Sequence, residues 1–80
     1  MIIKGRRGYY EITISQLSDE SFRVDVIDNL PTGQRPIGSK ILDAVTNSES
    51  EAKAAAAEAM AKDSRVSVVV IARDIDWSVS

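Results

Sequence analysis

Residues 46–65 read TNSESEAKAAAAEAMAKDSR, and how this stretch is read decides the fold of the whole chain. It is the one strong helix signal. Ser48 followed by Glu51 makes a capping box, in which the hydroxyl accepts from the amide three residues on and the carboxylate reaches back to the amide of the cap. Thr46 with Glu49 offers the same box two residues earlier, which leaves two candidate starts. Glu49 and Glu51 stand at the positive end of the helix dipole and Lys62 at the negative end, where each charge is favourable. Seven alanines fall between residues 52 and 61. At about 100° per residue, Ala52, Ala56, Ala59 and Met60 share one side of the helix, and Glu51, Glu58 and Lys62 share the other. So flat a side lets the helix lie close on a sheet but buries little area per residue, so the bulk of the core has to come from strands beneath it.

Upstream of the helix the apolar period drops to two. A short apolar start and Gly5-Arg6-Arg7-Gly8, read as a loop, lead to Tyr10, Ile12 and Ile14 on one face with Tyr9, Glu11, Thr13 and Ser15 on the other, a half-buried strand. Residues 18–21 make a turn, after which Phe22, Val24 and Val26 continue the apolar face against Arg23 and Asp25. Opposed residues of an antiparallel pair share a face, so even positions must meet even positions. A two-residue turn at Asp19-Glu20 would break that match, and the hairpin calls for a three-residue loop or a bulge. Residues 29–36, NLPTGQRP, form a loop by their turn chemistry. A third strand follows over 37–45, with Ile37, Ile41 and Val45 on one face and Lys40 and Leu42 on the other; Pro36 suits an edge position.

Downstream, residues 65–73 read RVSVVVIAR, the most β-prone segment of the chain and the expected fourth strand. Val66, Val68, Val70 and Ala72 make one face, while Val69 and Ile71 make the other apolar too. Beyond it Ile75, Trp77 and Val79 alternate with Asp74, Asp76, Ser78 and Ser80, a change of phase that implies a bulge near Arg73-Asp74 or a tail leaving the sheet. The expected architecture is a single α+β domain over residues 1–80, two-layered in the order βββαβ, with one helix on one face of a four-stranded, mostly antiparallel sheet. A right-handed crossover would set the fourth strand parallel beside the first, in the order 3-2-1-4.

An 80-residue chain buries only about 60% of the surface its unfolded form exposes. With no cysteine and no histidine, neither disulfide nor zinc can add stability, and self-association is the simplest remaining source. The same two absences remove the usual proton shuttle, nucleophile and soft metal ligands, so the expectation is a protein that is not an enzyme, with no catalytic residue, metal or cofactor. Asp19-Glu20 and Asp74-Asp76 lack the ligand count and glycine placement of a calcium loop. The longest apolar run, Val68 to Ala72, is too short to span a membrane, and the start lacks a signal peptide's apolar middle, so no membrane partner and a cytoplasmic location are expected.

Two surfaces remain for function. If the even-numbered face is core, Val69, Ile71 and Ile27 point away from it and Ile75 and Trp77 follow in the tail; exposed apolar groups on that scale mark an interface with a protein partner or in a homodimer. The other surface is basic. Lys4, Arg6 and Arg7 beside Tyr9-Tyr10, with Arg35, are candidate nucleic-acid contacts, cation for phosphate and ring for base. A net charge of −2 gives no general attraction to nucleic acid, and so few arginines neutralise too few phosphates for tight binding.

Tyr10-Glu11-Ile12-Thr13-Ile14, the hairpin into Phe22-Arg23-Val24-Asp25-Val26, then Asp28-Asn29-Leu30-Pro31, and Ser48-Glu49-Ser50-Glu51-Ala52 opening an alanine-rich helix also form a pattern together. From Tyr10 to Met60 the chain resembles the small bacterial βββαβ domains that include HicB-type antitoxins. That resemblance implies a bacterial protein whose sheet edge and helix pack on a small toxin nuclease. The expected function is that of a small interaction domain which self-associates or docks a protein through its last strand and tail, with nucleic-acid binding or antitoxin-type inhibition as alternatives.

Overall fold

A computed structural model describes residues 1–30 and 36–79. Among these residues the chain runs β1 (Ile2–Arg7), β2 (Tyr10–Ser18), β3 (Ser21–Asp28), β4 (Ser39–Thr46), α1 (Glu49–Ser64), α2 (Val68–Asp74) and β5 (Asp76–Val79). The strands form one antiparallel sheet in the order β4-β3-β2-β1-β5, with both helices on one face. The α+β class therefore holds, but the sheet has five strands rather than four, and there are two helices rather than one.

The central hairpin follows its alternation. Ile12 opposes Val26 and Ile14 opposes Val24, and all four are buried. Asp19-Glu20 is a two-residue turn, and the phase is restored by an irregularity between Gln16 and Ser18, the bulge the pairing rule calls for. Pro36 precedes a strand that is indeed an edge.

Gly5-Arg6-Arg7-Gly8 is not a loop. Residues 2–7 form β1, and Gly8, at φ 59°, is the first residue of a two-residue turn to β2, where a type II′ hairpin asks for glycine. The reason β1 admits a glycine mid-strand lies across the pairing to β5. A Cβ on Gly5 would stand 2.7 Å from Trp77 Cε3 and 3.1 Å from Ile75 Cγ2, so the indole lies directly on the β1 backbone.

α1 starts at the later of the two candidate caps. Ser48, extended at φ −153°, accepts from Glu51 N at 3.1 Å, while Glu51 Oε2 accepts from Asn47 N at 3.0 Å, one residue before the cap's own amide. It ends on Arg65 at φ 61°, whose N–H donates to Ala61 O at 2.8 Å. Ala52, Ala56, Ala57 and Met60 are buried, with Ala57 in the place expected for Ala59. The helix begins beside the end of β4 and finishes over the start of β2, where Tyr10 Oη donates to Asp63 Oδ2 at 2.6 Å, so it crosses the sheet on a diagonal.

The largest correction is at residues 68–74, which are helical and not a fourth strand parallel to the first. A Val or Ile in a helix costs about 0.5 kcal/mol against Ala, so Val68, Val69, Val70 and Ile71 together oppose it by roughly 2 kcal/mol. Ile71 and Ile75, four apart and both buried, return about 1.5–3 kcal/mol each. Burial wins over propensity. The seat beside the expected first strand, which is β2, goes instead to β1, and residues 76–79 pair antiparallel on the outer side of β1 as β5, so the tail joins the sheet and no bulge at Arg73-Asp74 is needed.

Candidate functional site

The residues expected to form an apolar interface do not stand together on a surface. Ile71 and Ile75 belong to the core, packed with Ile3, Ile12 and the α1 alanines. Trp77 lies half-buried on Gly5, with Lys53 Nζ 5.2 Å from its ring centroid. Only Val69, 72% exposed, faces solvent. The physical reason is the change from strand to helix: a period of two splits Val69 and Ile71 from Val68 and Val70, whereas the helical period buries Ile71 alone.

The uncovered face of the sheet is charged rather than apolar. Arg6 Nη2 pairs with Glu11 at 2.8 Å, Arg23 Nη2 with Asp43 at 3.1 Å, and Lys40 Nζ with Asp25 at 3.2 Å and Asp43 at 3.7 Å. Ile27 is half-buried among these groups. The four basic candidates are not brought together. Lys4 and Arg6 lie on this open face, Arg7 lies on the helix face with Nη2 3.8 Å from Asp74, and Arg35 falls outside the described residues. Adjacent residues of a strand point to opposite faces, so Arg6 and Arg7 cannot clamp one phosphate. Among the described residues no group of three or more acidic side chains is placed to hold a metal ion, and no helix is long and apolar enough to cross a membrane.

What the fold does bring together is an edge and a groove. Because α1 crosses diagonally, the first half of β4 is left partly uncovered, and a groove of ≈ 900 Å³ opens between it and the helix. Ile41 and Leu42 form its floor, Ala55 and Ala59 its helix wall, and Glu58 and Lys62 its rim. Successive residues of a regular strand would point to opposite faces, but the β3–β4 pairing shifts between Val26 and Ile27, so Ile41 is an extra residue and both it and Leu42 turn to the helix side. β4 is the longer of the two sheet edges, eight residues against four in β5, and its outer side has no partner strand among the described residues. Ile37 and Val45, 68% and 61% exposed, flank it.

The sequence carried one sign of this site, the adjacent large apolar pair Ile41-Leu42, which a strict period of two assigns to opposite faces. Compared with known proteins, the chain matches no family model, no curated protein and no solved structure.

Proposed function

We propose that this chain is a small non-enzymatic interaction domain whose docking surface is the β4 edge and the groove between β4 and α1, in place of the last strand and tail. The observation that carries this reading is the long β4 edge, unpartnered among the described residues, beside an apolar floor. An exposed edge offers a row of N–H and C=O groups to a further strand, and a groove alongside it receives that strand's side chains. The non-enzymatic part rests on the sequence, which has neither histidine nor cysteine.

Photo-crosslinking in the producing cell tests it. A photoreactive amino acid at Val45 or Glu58 should capture protein, and the same group at Ser78, in β5 at the opposite edge of the sheet, should not. Equal capture from all three positions, or none from the first two, removes the reading.

The resemblance to HicB-type antitoxins supplies a narrower version, in which the captured protein is a small toxin nuclease. Its support is that a sheet edge and helix together form the surface here. Nucleic-acid binding has less behind it, because Arg6, Arg23 and Lys40 are each paired with a carboxylate on a balanced face.

A further inference from the structure

The docking edge determines its own best occupant. In an antiparallel pair, directly opposed residues share a face. A strand pairing with its own copy about a two-fold axis must therefore match like faces, and the bulge sets how β4 can do so. Lys40 stands opposite Ile27 and Asp43 opposite Asp25, so these two charges share the open face although they are three positions apart in sequence. An unbroken strand would put them on opposite faces.

We infer that the occupant of the β4 edge is a second copy of this chain, paired antiparallel about a two-fold axis between Ile41 and Leu42, with Lys40 of each copy opposite Asp43 of the other. This rests on the reading of β4 as the docking edge. In that register Ser39 meets Ala44 on the helix face, residues 39–44 pair, and exposed Ile37 and Val45 lie just beyond the two ends of the paired stretch. Ile41 and Leu42 of the two copies gather at the axis, where the two groove floors join. The competing registers are poorer. An axis at Asp43 sets two carboxylates directly opposite each other, and an axis at Ala44 pairs only residues 42–46 and faces Asp43 with a valine. A bulge on an edge strand ordinarily keeps other strands away; here it puts Lys40 and Asp43 on one face, where each can meet the other across the axis. Lys40 and Asp43 keep side-chain exposures of 45% and 47%, so both are open to a partner despite their pairing within the chain.

The test is molar mass by light scattering behind a sizing column, from low to high micromolar, for the wild-type chain, Lys40→Asp, Asp43→Lys and a mixture of the two variants. The wild type should pass from monomer to dimer mass. Each variant alone sets like charges opposite at both ends of the joint and should weaken association about tenfold or more. Mixed, the variants should associate as the wild type does, because the reversed charges then face their complements. Circular dichroism checks that each variant is folded. If either is not, Lys40→Cys mixed with Asp43→Cys serves instead: the mixed disulfide should form faster than either self-disulfide, and the chain has no cysteine of its own to compete. A wild type that stays monomeric, a dimer indifferent to both reversals, or no recovery on mixing overturns the inference. A monomer whose position 45 still captures another protein leaves the docking edge standing without self-pairing; a monomer with no capture removes both.

Discussion

Gly5 positions the C-terminal strand by what it lacks. The indole of Trp77 fills the space where a side chain would project, and Lys53 closes over the ring from α1, so one glycine holds β5 and the helix layer in contact. Gly5→Val should push the ring off β1 and destabilise the domain by about 1–3 kcal/mol, read as a drop in melting temperature together with a red shift of tryptophan emission as Trp77 meets water. A lowered melting temperature with unchanged emission would mean the ring is not what the glycine accommodates. Arg65 presents the opposite case, a side chain where the backbone favours none. It holds φ 61° to close α1, and Arg65→Gly should raise stability by about 0.5–1 kcal/mol, measurable by urea unfolding.

At the scale of elements, α2 has the local sequence of a strand and the contacts of a helix. Two substitutions separate these. Val69→Ala, at an exposed position, should stabilise a helix by about 0.5 kcal/mol, whereas in a strand the same change destabilises. Ile71→Ala should cost about 2–5 kcal/mol, a large part of the whole stability of so small a domain, and leave the chain largely unfolded by circular dichroism at physiological temperature. The elements legible in the sequence were those whose apolar period, caps and burial agree: α1 with its capping box, and the β2–β3 hairpin with its required bulge. Those missed were decided by distant partners. β1 is disguised by Gly5 and Gly8, whose use is apparent only once Trp77 and the hairpin turn are in place, and α2 by a run of β-branched residues of which only Ile71 finds a buried seat, against an existing core. The proposed docking edge was half legible, since Pro36 marked β4 as an edge, while the bulge at Ile41 depends on its pairing with β3.

For the whole molecule, stability and association are coupled by size. The core consists of one sheet face, a flat alanine helix and a short second helix, and the exposed ion pairs on the other face add at most about 1 kcal/mol each. A domain with so little in reserve gains visibly from any contact made only by the folded state. If two chains join through β4, each tenfold rise in protein concentration above the dissociation constant adds about 0.7 kcal/mol per chain, or about 3–5 °C in melting temperature for a domain this small. Melting followed by circular dichroism across that concentration range should show the rise for the wild type. Lys40→Asp, whose change lies at the joint and outside the core, should melt at a nearly constant temperature over the same range. A wild-type melting temperature independent of concentration would mean that the fold sustains itself alone, without pairing through β4.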